Sequence, residues 1–304
     1  MPCAVQRDAL INRACGAMLG LAIGDALGAT VEFMTPREIV TEYGVHDRIC
    51  GGGWLRLPAG DVTDDTTMTL ALGRAWLEAG RAPDAAQCAM AFDAWMRAKP
   101  VDIGNTVRRG IMRWRRHGSA QAEASNQAGN GAAMRCLPVA LATLGDTVPA
   151  IRAAALTQAR VTHHNPLSDA GTVAVVHMVQ AALAGQGIGG VLRAAQALVA
   201  AQPEFAFRNR RCDNPSGYIV DTLRAVCQAL DGNDGFRAVL VDVVNRGGDA
   251  DTTGAIAGMV MGALVGEAAL PRDWRRAVRV EVRREAVRQA SELIELSPAL
   301  RRPA

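Results

Sequence analysis

Strictly alternating runs of β-branched residues are nearly absent from this chain of 304 residues, which argues against a β-sandwich or barrel. Its seven cysteines (Cys3, Cys15, Cys50, Cys88, Cys136, Cys212 and Cys227) include no Cys-x-x-Cys pair. Their odd number and wide spacing argue against a disulfide framework and a zinc knuckle, and make a reducing cytoplasm the expected compartment. Charge of one sign is lacking too. With 33 basic and 30 acidic residues the net charge is +3, so no nucleic-acid partner is expected from charge. The two most apolar stretches, Ala14 to Val31 and Gly254 to Leu270, are interrupted by Asp25 and Glu267. Neither supplies the roughly 20 uninterrupted apolar residues of a membrane span, so both are expected to be buried helices. In the opening MPCAVQRDALINR, Arg7, Asp8 and Arg13 stand where a secretion signal needs an apolar run, and export is not expected.

What the chain has is a composition 49% hydrophobic, 21% charged and 4% aromatic, enough to bury a full core. Alanine-rich stretches with helical spacing dominate: Leu70 to Ala79, Ala85 to Ala98, Ala132 to Leu144, Ile151 to Ala159, Ala170 to Leu183, Val191 to Ala200, Ile219 to Leu230 and Phe236 to Val244. Turn signals such as Gly51-Gly52-Gly53, Gly129-Asn130-Gly131 and Asn165-Pro166 punctuate them. At the usual helix length, this pattern predicts an all-α, single-domain bundle of about a dozen helices over residues 1–304. Two segments carry glycine at every fourth position: Gly16, Gly20, Gly24, Gly28 and Gly254, Gly258, Gly262, Gly266. Such spacing makes one stripe on a helix, and each interior glycine costs about 0.5–1 kcal/mol relative to alanine. Close approach of two backbones offsets that cost. The two helices are therefore expected to pack on each other and bring both ends of the chain to one site.

Two acidic clusters carry the chemistry. Thr63-Asp64-Asp65-Thr66 precedes a helix expected to begin near Thr67, and Asp249-Ala250-Asp251-Thr252 precedes the second striped helix. One such cluster is an ordinary N-terminal cap. Two of them supply more oxygen donors than capping uses, and several carboxylates cannot sit together ionised without a cation. With no His or Cys in either motif, a hard ion such as Mg²⁺ or Mn²⁺ suits the donors better than Zn²⁺. Four aspartates balance two such ions, and metal pairs about 3.5–4 Å apart activate water for hydrolysis. The residues alone thus point to a two-metal hydrolase.

In order along the chain come GAMLG with GDALG (Gly16 to Gly28), TDDT (Thr63 to Thr66), GNGAAMR (Gly129 to Arg135) and GGDADTTGAIAG (Gly247 to Gly258). This ordered set resembles the ADP-ribosylglycohydrolase family and, with the intervening stretches, covers nearly the whole chain. ATVEFMT (Ala29 to Thr35), GGGWLRL (Gly51 to Leu57), PVDIGNT (Pro100 to Thr106) and AMRCLPVALATLG (Ala133 to Gly145) look nearest to one branch of it. That branch, the dinitrogenase reductase activating glycohydrolases, removes ADP-ribose from an arginine of nitrogenase's iron protein. The resemblance implies an all-α fold with two divalent ions, Mn²⁺ or Mg²⁺, held by Thr63, Asp64, Asp65, Asp249, Asp251 and Thr252. It also implies that Asp102, after Pro100-Val101, engages the ribose or the leaving guanidine, with Glu32 as a second acid in the site.

The diphosphate of ADP-ribose needs N–H donors, and Gly104-Asn105 and Gly129-Asn130-Gly131 fit that need, although Gly-Asn turns are common. His163-His164 lacks the i, i+4 spacing of a shared zinc site. By resemblance, the Thr162-His163 pair lies near the substrate and Tyr218 faces the adenine, while which histidine faces the ligand stays open. Basic runs at Arg108 to Arg116 and at Arg272 to Arg288, the latter on an expected last helix, are ordinarily solvated faces. The first is also suited to steering an anionic ADP-ribosylated protein, and the second to a partner such as a PII-type regulator, which controls that branch. The implied activity is release of ADP-ribose from arginine of a target protein by a monomeric enzyme. Its rivals are another linkage (serine, a nucleic-acid base or a free ADP-ribose derivative) and a non-catalytic relative resembling certain lens crystallins.

Overall fold

The computed structural model describes residues 4–301, so Cys3 lies outside the described residues. Along them run α1 (Ala4–Gly28), α2 (Pro36–Tyr43), α3 (Asp64–Ala79), α4 (Ala85–Arg97), α5 (Asn105–His117), α6 (Leu137–Ala142), α7 (Val148–Ala159) and α8 (Pro166–Leu183). There follow α9 (Gly187–Ala201), α10 (Ile219–Gly232), α11 (Phe236–Val244), α12 (Ala250–Val265), α13 (Arg272–Ala277), α14 (Val280–Glu295) and α15 (Pro298–Arg301). Among the described residues there is no strand, only the isolated bridges Gly52 to Leu57 and Gly129 to Tyr218. The fold is all-α, as the composition implied.

Glycine sets its centre. α1 and α12 run antiparallel with backbones in contact: a Cβ on Gly16, Gly20, Gly24 or Gly28 would collide with the carbonyl oxygen of Gly262, Gly258, Gly254 or Ala250, respectively. The reverse collisions hold for Gly254, Gly258 and Gly262. Gly266 departs from the stripe: it ends α12 with φ +77° and lies against the Asn12 side chain. α14, α3 and α8 surround α1, while α11, α8 and α10 surround α12, so α12 and the part of α1 from Ala14 onward are buried on nearly all sides. Residues Gln6–Gly28 meet the length and hydropathy of a membrane span, but 78% of that window is buried inside the fold, as a core helix requires.

Local chemistry fixes the other helix starts. Thr35 and Glu38 form a capping box on α2, Asp84 and Gln87 on α4, and Asn165 caps α8 ahead of Pro166. Three expectations need correction. α3 begins at Asp64 rather than near Thr67, which puts both aspartates in its first turn. Ala132 to Leu144 is helical only over Leu137–Ala142, because the chain through Arg135 is still turning out of the Gly129-Asn130-Gly131 loop and Pro138 marks the helix start. The basic run from Arg272 to Arg288 spans two helices, broken where Val278 and Arg279 adopt extended ψ angles of 138° and 141°, and neither is the last. The short α6, α13 and α15, of 6, 6 and 4 residues, raise the helix number above a dozen.

Candidate active site and metal centre

The starts of α3, α5 and α12, the turn after α1 and the Gly129 loop converge on a cleft of about 250 Å³. Asp64, Asp102, Asp249, Asp251, Thr252 and Glu32 all line it, although they come from distant parts of the chain. Backbone bonds lock two of these segments together: Phe33 N–H donates to Gly248 O at 2.7 Å and Gly248 N–H to Met34 O at 2.9 Å. Gly247 and Gly248 both have φ near +70°, and a Cβ on either would strike a carbonyl oxygen, of Met34 or Pro215. Trp54 Nε1 donates to Glu32 Oε2 at 2.6 Å and aims that carboxylate.

Capping of α3 is done by groups other than its two aspartates. Asp25, fully buried on α1, accepts from the backbone N–H of Thr63 at 2.9 Å and of Thr66 at 3.0 Å, and from the Thr66 hydroxyl. Thr63 Oγ1 accepts from Asp65 N–H at 3.4 Å. Asp64 and Asp65 therefore have their carboxylates available. The Asp65 Oδ2 accepts from the Thr63 and Thr252 hydroxyls, each at 3.3 Å, and its buried Oδ1 has no partner among the described residues. Carboxylate oxygens of Glu32, Asp249 and Asp251 lie within 4.8 Å of one another. An orphaned buried oxygen beside a carboxylate cluster lined with hydroxyls is a donor set that fits hard divalent cations.

The electrostatics agree. Burial, then the neighbouring Asp102, Asp25 and Asp249 charges, push Asp64 up to about 7 against a hydrogen bond from the Gly104 backbone. Glu32 is raised to about 8 by burial and by Asp249, Asp102 and Asp64, opposed by Trp54. Asp65 and Asp251 are held well above the carboxylate range by burial and mutual repulsion. Asp102, half-buried, is raised mainly by burial. These carboxylates resist ionising together unless positive charge enters.

Across the cleft the chemistry changes sign. α5 starts at Asn105 with Gly104 as its N-cap and no side-chain cap, so its first N–H groups face the cleft with the helix dipole behind them. His163 lines the cleft, whereas His164 turns away from it and is hydrogen-bonded through Nδ1 to Ala122 O at 2.8 Å. Gly129 and Gly131 make room for the His163 ring: a Cβ on either would lie about 3 Å from it. Arg135 Nη2 donates to Thr162 Oγ1 at 2.8 Å, and the Thr162 hydroxyl is hydrogen-bonded to His163 Nδ1, also at 2.8 Å. Burial, with Arg135 and Arg109, lowers His163 to about 3 and keeps it neutral. Asn130 donates to Asp249 Oδ2 at 2.6 Å and to Thr222 Oγ1 at 2.9 Å, so its side chain positions a carboxylate. Thr63 and Asp65 lie beneath the lining, and Tyr218 stands 39% exposed beside Gly217, at the rim.

Several contributors escape a sequence reading. Asp25 registers there as an interruption of an apolar stretch, but its place in GDALG, within a glycine stripe, is the signal that it is buried and engaged. Arg135 is fully buried, bonded to Gln158 and Thr162 and lying 4.2 Å from the Phe92 ring centroid. Its presence in GNGAAMR gives no hint of those partners, nor does GGGWLRL show that Trp54 reaches Glu32.

A sequence profile of the ADP-ribosylglycohydrolase family matches residues 6–302. The chain is 48% identical to the ADP-ribosyl-(dinitrogen reductase) glycohydrolase of Rhodospirillum rubrum, over 94% of this chain and 97% of that protein. It is 34% identical to the ADP-ribosylarginine hydrolase Tri1 of Pseudomonas putida, over 90% of this chain and 76% of the relative. A solved structure, an ADP-ribosylglycohydrolase-related protein complex, superposes with a TM-score of 0.84 at 31% identity, covering 95% of this chain and 99% of the other. With those matches spanning the same motifs that build the cleft, the chain belongs to the ADP-ribosylglycohydrolase family.

Proposed function

We infer that this enzyme hydrolyses the N-glycosidic bond between ADP-ribose and an arginine side chain of a protein, reversing mono-ADP-ribosylation. The observation that carries this reading is the division of one cleft into a carboxylate floor and an N–H-rich wall, on a chain with one relative named as an ADP-ribosylarginine hydrolase and another as a glycohydrolase of ADP-ribosylated dinitrogen reductase. The diphosphate lies at the uncapped start of α5 and the Gly129 to Gly131 loop, the neutral His163 ring lines the same wall, and Tyr218 borders the adenine end. The ribose then lies over the carboxylates. Thr63, Asp64, Asp65, Asp249, Asp251 and Thr252 hold two divalent ions, Mn²⁺ or Mg²⁺, with Glu32 close enough to join the Asp249–Asp251 pair. When bound, such ions supply the positive charge that orients ribose hydroxyls and acidifies water. Asp102 engages the ribosyl or guanidinium group as the C–N bond breaks, stabilising oxocarbenium character; water adds to the anomeric carbon and arginine is regenerated.

The test is ADP-ribose release from ADP-ribosyl-arginine, ADP-ribosyl-serine and ADP-ribosylated dinitrogen reductase, each with and without Mn²⁺. Metal-dependent release from the arginine linkage and from the reductase is expected. Release from serine alone moves the reading to another linkage, and absence of turnover on all three ends it.

A further inference from the structure

Beyond Glu32 and Phe33 the cleft opens into a second groove of about 440 Å³ that no part of the reaction above uses. Three carboxylates, Glu32, Glu38 and Glu42, and three aromatic rings, Phe33, Tyr43 and Trp54, line it, with no Lys or Arg among its lining residues. Phe33 and Trp54 are 64% and 52% exposed, in a protein where aromatics are scarce. Their ring centroids are 5.4 Å apart at an interplanar angle of 48°. Phe33 adopts φ +64°, a conformation rare for a bulky residue, and its N–H bond to Gly248 O holds it there. A strained, exposed ring kept at the mouth of a catalytic cleft is placed for contact rather than for packing. Glu38 stays ionised, because the Thr35 N–H and hydroxyl both donate to it, at 2.7 and 2.8 Å.

Resting on the arginine linkage, we propose that this groove receives the polypeptide flanking the modified arginine and selects targets whose flanking residues are basic. Charge dictates the direction. The diphosphate is repelled by the Glu38 and Glu42 carboxylates of the groove and drawn to the α5 start, so the arginine end of the substrate leaves the cleft past Glu32 and Phe33. Guanidinium groups lie favourably over aromatic faces and beside carboxylates, and this groove offers both side by side.

The experiment compares kcat/KM for free ADP-ribosyl-arginine with that for ADP-ribosylated peptides whose flanking residues are basic or acidic, at low and raised ionic strength. Wild type is expected to prefer the basic peptide. The double variant Glu38→Gln, Glu42→Gln keeps the capping geometry of α2, since Gln also serves a capping box. It is expected to lose about 5- to 10-fold on the basic peptide through KM, with free ADP-ribosyl-arginine unchanged within about two-fold, and the loss should fade as salt rises. Equal activity of wild type on basic and acidic peptides overturns the assignment. So does a variant of unchanged melting temperature that handles the basic peptide like wild type, or one that loses both substrates equally. A wild-type protein inert toward free ADP-ribosyl-arginine and toward both peptides removes the linkage and the groove together, an outcome seen before any variant is made.

Discussion

At the scale of single residues, the proposed reaction gives Asp65 and Asp102 different roles, metal binding and chemistry, and the two are expected to respond differently to substitution. Asp65 is buried with one oxygen unpartnered and its ionisation disfavoured by burial and by Asp25, Asp64, Asp249 and Glu32. Asp65→Asn is expected to raise the melting temperature of metal-free protein at pH 8 by a few degrees and to leave it unchanged near pH 5. The same variant should lose the stabilisation that Mn²⁺ gives wild type, which thermal melts with and without the ion will show. Asp102→Asn keeps shape and removes charge. Turnover at saturating Mn²⁺ should fall by about 10²- to 10⁴-fold while the Mn²⁺ titration midpoint stays in place. A variant within a few-fold of wild type would exclude a role in the chemical step.

At the scale of elements, the glycine stripes are the feature the sequence displayed most openly, because every-fourth-residue glycine is too costly to persist in a helix without a backbone lying against it. Gly20→Ala or Gly258→Ala sets a methyl against a carbonyl oxygen of the facing helix. Overpacking costs about 1–3 kcal/mol against a helix-propensity gain of about 1 kcal/mol, and a rigid backbone neighbour puts these sites at the upper end. Gly232→Ala, at the end of α10 with nothing within 4 Å, is the control and should be neutral or slightly stabilising. Urea midpoints of the three variants decide the matter. The acidic clusters and the helical periodicity were equally legible, since both are local in sequence. What could not be read locally was pairing across distance: Trp54 with Glu32, Arg135 with Thr162, Asp25 with Thr63 and Thr66. Nor does alanine content distinguish the turns through Ala132 to Arg135 from helix, because alanine tolerates both.

At the scale of the whole molecule, the carboxylates gathered in the cleft link stability to pH and to metal. Asp25, Asp64 and Glu32 are raised to about 6, 7 and 8, and Asp65 and Asp251 are also held well above the ordinary carboxylate range. Between the ordinary carboxylate range and these values the folded state binds more protons than the unfolded chain, so stability falls as pH rises. Metal-free protein is therefore expected to melt progressively lower from pH 5 to pH 8, and Mn²⁺ to raise the melting temperature more at pH 8 than at pH 5. A flat pH profile in the absence of metal would contradict this. The antiparallel pair at the centre also orders events during synthesis. Gly20 meets Gly258, so roughly two hundred and forty residues leave the ribosome between one face of that contact and the other. At about 5–20 residues per second, α1 waits on the order of 10–50 s as an apolar helix without its partner. Neither half of the carboxylate floor can close in that interval, so the nascent chain has no assembled catalytic cleft until α12 emerges, and chaperones have a long-lived apolar target in α1.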